Sequence, residues 1–156
     1  MRIRKRVAAR AAVVFGAVGL SVLAATGGAQ AYTYDGQDPS STGCSSGAST
    51  VASAAMYSGG YRVATIEMRY SLSCHTGWAR LTLEQTQGPC GNATAGYACP
   101  SGWITRNNDG RSYSCHIYQN QHQCYTPMVY DKGLTSFAEG FLDTVNGAVD
   151  VRTISY

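Results

Sequence analysis

Charge is scarce in this chain: only 13% of its 156 residues are Asp, Glu, Lys or Arg. No run of like charge follows the first ten residues, and no long amphipathic helical period is present. These absences exclude a nucleic-acid or anionic-membrane surface built on a basic stripe, and they argue against a helical bundle. Familiar catalytic and metal signatures are also missing. There is no His-Glu-x-x-His, no Cys-x2-Cys and no His-x3-His spacing, and no Gly-x-Ser-x-Gly nucleophile elbow is expected. Hydrophobic runs are short, with one exception at the N-terminus.

That exception begins the chain. Arg2, Arg4, Lys5, Arg6 and Arg10 form a basic leader, Ala11 to Thr26 carry no charge, and Ala29-Gln30-Ala31 offers a small-x-small cleavage site. This is the three-part pattern of a secretory signal. Its apolar stretch is shorter than the ~20 residues of a membrane span. Residues 1–31 are therefore expected to be a signal peptide cleaved after Ala31, leaving an exported chain with no membrane attachment. Of the 12 Lys and Arg, five lie in this leader; the remaining seven against nine acids give the mature chain a formal charge of −2. A basic partner-binding surface is thus lost with the signal, and no nucleic-acid partner is expected.

What is plentiful is cysteine, glycine and tyrosine. All six cysteines, Cys44, Cys74, Cys90, Cys99, Cys115 and Cys124, follow the signal. An even number outside the cytoplasm reads as a disulfide framework, for which six cysteines allow about fifteen connectivities. The favoured set is Cys44–Cys74, Cys90–Cys99 and Cys115–Cys124. The two short loops would each contribute roughly 2.5–3 kcal/mol on a chain-entropy basis and the longer one about 3.5–4 kcal/mol. The stretch CHIYQNQHQC, from Cys115 to Cys124, also suggests a metal site. In a strand, however, Cys115 and His116 point to opposite faces, which disfavours a shared tetrahedral ion. His116 and His122 are expected as exposed residues on a hairpin closed by a disulfide. No metal and no cofactor are expected.

The stretch YTYDGQDPSSTG (32–43) is polar and has no apolar surface beyond two tyrosines. It reads as a flexible arm preceding a β domain over 44–156. Its functional reading is a peptide that orders on a partner, with Tyr32 and Tyr34 as anchors and Asp35 and Asp38 beside them. Ala64, Ile66, Met68 and Tyr70 alternate with polar residues, as do Leu81 and Leu83, which predicts an antiparallel hairpin around SLSCHTG. Glu67, Arg69, Arg80 and Glu84 fall on its polar faces as cross-strand pairs. GPCGNATAGYACPSG reads as a loop, with a glycosylation-acceptor match at Asn92-Ala93-Thr94. Asn108-Asp109-Gly110 and Asp131-Lys132-Gly133 are turns between short strands. Ser136 to Thr144 fits a strand or one to two helical turns. The fold class is all-β, a small antiparallel sandwich or barrel-like domain stapled by three disulfides.

An enzyme is not expected. Each histidine sits beside or near a cysteine, and Glu67, Glu84, Asp109, Asp131 and Glu139 have no spacing that makes a catalytic pair. A stand-alone cell-wall or glycan binder is the alternative, with Trp78, Trp103 and the tyrosines as a platform.

The segments YDGQDPSSTGC, IEMRYSLSCHTGWARL, ITRNNDGRSYSC and CYTPMVYDKGLTSFAEG, with the final TISY, resemble the YjfA-type secreted proteins of Gram-positive bacteria, a domain of unknown function. The specific motifs are RYS-x-x-C-x-x-x-W-A-R and C-Y-T-P-M-V-Y-D, and the likeness runs from Tyr34 to Tyr156. The Arg- and Ala-rich leader suggests an actinobacterial source. Some streptomycete members look like the UmbB-type subunit of umbrella toxin particles. That resemblance implies a non-catalytic adaptor whose protein partners are a lectin-like subunit and a large repeat-containing toxin polypeptide. It supplies no catalytic residues.

Overall fold

The period of two at Ala64, Ile66 and Met68 is realised in a computed structural model that describes residues 32–91 and 96–156. The expected signal peptide and the Asn92-Ala93-Thr94 acceptor lie outside the described residues. Among the described residues nine strands follow in chain order: β1 (Ser49–Ser58), β2 (Tyr61–Ser71), β3 (Thr76–Leu83), β4 (Ser101–Arg106), β5 (Ser112–His116), β6 (Gln123–Tyr125), β7 (Val129–Tyr130), β8 (Ser136–Thr144) and β9 (Gly147–Arg152). One sheet has the order β1-β2-β3-β6, with β7 also pairing β3; the other runs β5-β4-β8-β9. Every pairing is antiparallel. The molecule is an all-β protein of two sheets.

The β2/β3 hairpin pairs Ile66 with Leu81 and Glu67 with Arg80. The first pair faces inward. Together with Met56, Ala64, Met68 and Ala79 it packs on Ile104, Ala138 and Leu142 of the other sheet. Burying a Leu or Ile side chain stabilises by roughly 1.5–3 kcal/mol, so this layer is the main source of cohesion. Gly140 lets the sheets approach: a Cβ there would sit 3.0 Å from Met56 Sδ and 3.2 Å from Ile66 Cβ. The outward residues pair by charge, with Arg80 Nε donating to Glu67 Oε2 at 2.6 Å and Arg62 bridging Glu84 at 2.8 Å. Asn108-Asp109-Gly110 turns β4 into β5, with Gly110 at φ +68°.

All three disulfides join the expected partners, Cys44–Cys74, Cys90–Cys99 and Cys115–Cys124. The last does not close a hairpin. Cys115 is on β5 and Cys124 on β6, which belong to different sheets. It staples the sheets together along one side. On the opposite side Ser58 bonds Thr144 at 2.9 Å, tying the end of β1 to the end of β8.

One open reading is resolved and one expectation changes. Ser136–Thr144 is a strand, because its alternation of buried and less buried residues meets β4 on one edge and β9 on the other. Residues 32–43 are not a free arm; they fold onto the domain. The Gly36 N–H donates to Met128 O at 2.9 Å, the Met128 N–H to Gln37 O at 2.9 Å, and Pro39 is fully buried. The physical reason is that Trp78, on the outer face of its sheet, gains a cover from Tyr34, Cys44 and Met128. Composition alone hides this, since the apolar surface being covered belongs to residues far along the chain.

Candidate functional site

The best-connected polar group is Arg106, at the end of β4, with its side chain fully buried. Its Nε and Nη2 donate to the two oxygens of Asp109 at 3.0 and 2.6 Å. Its Nη1 donates to Asp35 Oδ1 and to the Tyr130 carbonyl, both at 3.0 Å. The Tyr32 ring lies 4.1 Å from the guanidinium carbon and 5.2 Å from the Tyr130 ring. The bidentate hydrogen bond with Asp109 raises the Arg106 pKa against the cost of burial. The same bond, helped by the Arg111 N–H, pulls Asp109 down to about 2. Asp35 Oδ1 also accepts the Tyr130 N–H at 2.5 Å. This is a clamp, because the planar guanidinium fork fixes three chain segments at once.

The clamp holds two of the four residues expected to meet a partner, Tyr32 and Asp35. Tyr32, 38% exposed, rests on Arg106 and Tyr130. Asp35 is half-buried and engaged by Arg106. Tyr34 is half-buried against the cluster of Trp78, Cys44 and Met128. Asp38 is exposed and accepts the Ser40 and Ser41 N–H groups, both at 2.8 Å, so it shapes its own turn. The sequence alone does not reveal Arg106 and Tyr130 as the holders of Tyr32 and Asp35. Only the density of Asp and Tyr in both segments hinted at a link.

Of the two tryptophans, Trp78 is only 4% exposed and cannot serve as a platform. Trp103 is half-buried and lines a groove of about 480 Å3 with Ser112, Tyr113, Ser114 and Pro127. The histidines are not brought together by any contact; His116 Nδ1 bonds the Ser101 hydroxyl at 2.7 Å. Among the described residues no group of three or more His, Cys, Asp and Glu side chains is placed to hold a metal ion.

The letters Gly43-Cys44-Ser45-Ser46-Gly47 do match a Gly-x-Ser-x-Gly string, which corrects the expectation that no such element is present. Its setting is not that of a nucleophile elbow. It is a run of turns leading into β1, with Cys44 held in a disulfide. Of the carboxylates considered for catalysis, Glu67, Glu84 and Asp109 are each engaged by an arginine. Asp131 is different: it is buried, and neither carboxylate oxygen has a hydrogen-bond partner among the described residues. Burial pushes it up to about 6. The nearby Ser136 hydroxyl, though not in hydrogen-bonding geometry, and the Arg106 charge oppose that rise only in part.

Residues 32–139 match the family described as "Protein of unknown function (DUF2690)". The chain is 34% identical to the uncharacterized protein YjfA of Bacillus subtilis (strain 168), over 97% of this chain and 99% of YjfA. No solved structure matches. Three disulfides, and no helix long and apolar enough to cross a membrane among the described residues, are consistent with an extracellular protein.

Proposed function

The chain belongs to the DUF2690 family, and we propose that this member is a secreted, non-catalytic adaptor of an extracellular antibacterial toxin particle. In this reading it bridges a lectin-like subunit and a large repeat-containing toxin polypeptide. The observation that carries the proposal is the clamped N-terminal segment. An adaptor gains affinity when its contact surface is ordered before the partner arrives, because less conformational entropy is lost on binding. Tyr32 and Asp38 are exposed on a segment pinned by Arg106 and by the Cys44–Cys74 bridge. Export rests on the leader pattern together with the disulfides. The test is affinity purification of the C-terminally tagged protein from its producer's culture medium, followed by mass spectrometry. Recovery with a lectin-like protein and a large repeat-containing toxin is the expected result. Recovery alone, in quantity, would overturn the adaptor reading.

A second reading has its own observation. The Trp103 groove sets an indole beside the exposed Ser114, directly opposite it across the β4/β5 pairing, and an aromatic face next to a hydroxyl is the chemistry that stacks and hydrogen-bonds a sugar. It predicts a stand-alone binder of cell-wall or surface glycans, which would sediment with purified cell wall and lose that behaviour in Trp103→Ala.

A further inference from the structure

A second groove, of about 250 Å3, lies where the N-terminal segment meets the outer face of the β1-β2-β3-β6 sheet, with Ser40 and Ser45 on one wall and Arg69, Arg80, Gln123 and Tyr125 on the other. The register builds it. Arg80 stands opposite Glu67 on one side and opposite Tyr125 on the other, while Arg69 stands opposite Trp78. Successive residues of one strand face alternate sides, so Glu67 and Arg69 share a face, as do Trp78 and Arg80.

Its charges do not balance. Glu67 accepts from Arg80 Nε at 2.6 Å and from the Thr50 hydroxyl at 2.8 Å. Arg69 is spent on neutral acceptors, Thr50 Oγ1 at 2.8 Å and the Ala48 carbonyl at 2.7 Å. Two guanidinium groups therefore share one carboxylate. Burial, and then repulsion from Arg80, lower the Arg69 pKa, with Glu67 pulling the other way. The terminal nitrogens of Arg80 form no hydrogen bond among the described residues, although its Nε is held in place by Glu67. The nearby carboxylate of Asp38 is committed to backbone N–H groups. Tyr125, 43% exposed, supplies an aromatic wall beside Arg80.

We infer that this groove binds one oxyanion group, a carboxylate or a phosphate, on the free edge of the Arg80 guanidinium with Arg69 supplying a second positive charge. A planar fork with two free nitrogens matches either anion in a bidentate geometry. The groove's small size admits the charged group and leaves the rest of the ligand outside, over Tyr125. The inference is independent of the adaptor reading.

The experiment is a titration of the mature protein with sodium phosphate and, separately, with sodium acetate. Ionic strength is held constant with sodium chloride, and the arginine side-chain Nε–Hε resonances are followed by NMR. A saturable shift of the Arg80 signal with either anion is expected, and the anion that produces it identifies the source chemistry. Arg80→Gln should weaken that binding about tenfold or more, because it removes a charge-assisted pair. Glu67→Gln should tighten it several-fold, because it leaves both cations uncompensated; a purely structural pair would not respond in that direction. If Arg80→Gln fails to fold, the wild-type titration and Glu67→Gln still decide. Absence of a saturable shift with both anions, or an affinity unchanged in Glu67→Gln, would overturn the inference.

Discussion

Arg106 and Asp131 are both buried charged groups at the same end of the molecule, and their surroundings are opposite. Arg106 has two carboxylates, a carbonyl and an aromatic ring around it. The Asp131 carboxylate has no hydrogen-bond partner among the described residues; Ser136 and Tyr70 lie near it, and the Arg106 charge acts on it from further away. The difference shows that burial alone does not decide what a charge does. A satisfied charge organises the chain around it, whereas an orphaned one costs desolvation energy and answers to pH.

The largest expected effect comes from removing the satisfied charge. Arg106→Met leaves Asp35 without its ion-pair partner and frees the N-terminal segment, with an expected loss of about 3–5 kcal/mol. Urea denaturation measures it. A loss below about 1 kcal/mol would place Arg106 with ordinary surface pairs. Next comes the covalent counterpart of the clamp. The Cys44→Ala/Cys74→Ala double variant should lose roughly 3.5–4 kcal/mol on the loop-entropy account, read from the same denaturation curves.

The third prediction reverses sign at Asp131. Its folded pKa, about 6, lies above the usual value of 3.8, so the folded state binds the proton more tightly. The stability that goes with that proton is fully present below about pH 4 and is lost as pH rises through 6, by up to about 3 kcal/mol. Asp109, held at about 2, works the other way: its contribution is present above its usual pKa and is lost as pH falls toward 2. Stability should therefore rise from pH 7 to about pH 4.5 and fall below pH 4. Asp131→Asn should flatten the first limb and leave the second. Denaturation midpoints across pH 2–8 check both limbs.

The smallest effect belongs to a pair that neither clamps nor is buried. Arg62 and Glu84 meet at 2.8 Å with both side chains largely exposed. Glu84→Gln should change stability by less than about 1 kcal/mol.

The sandwich was legible wherever local chemistry and global fold agree. The β2/β3 hairpin follows from alternation at Ala64 to Leu83, the turn at Gly110 from Asn-Asp-Gly, and the Cys90–Cys99 and Cys115–Cys124 pairs from proximity along the chain. β1 was not legible as a separate strand, because STVASAAMYS is rich in Ala and Ser, and its pairing with β2 carries two register shifts. The strand at Ser136 was ambiguous because Gly140 interrupts its apolar face to admit Met56 and Ile66. The Cys115–Cys124 pair was read correctly, but its role as an inter-sheet staple depends on which sheet each strand joins. In the candidate site, Tyr32, Tyr34, Asp35 and Asp38 stood out by type. Their attachment did not, because Arg106 lies 71 residues beyond Asp35 and nothing local announces an ion pair of that separation.

Anchoring of the N-terminal segment is tested most directly by amide hydrogen exchange of residues 32–156. The N–H groups of Gly36, Met128 and Tyr130, bonded across the clamp, should be protected in the wild type and exchange much faster in Arg106→Met. Exchange of Gly36 at the rate of an unstructured peptide in the wild type would contradict the account and return residues 32–43 to a free arm.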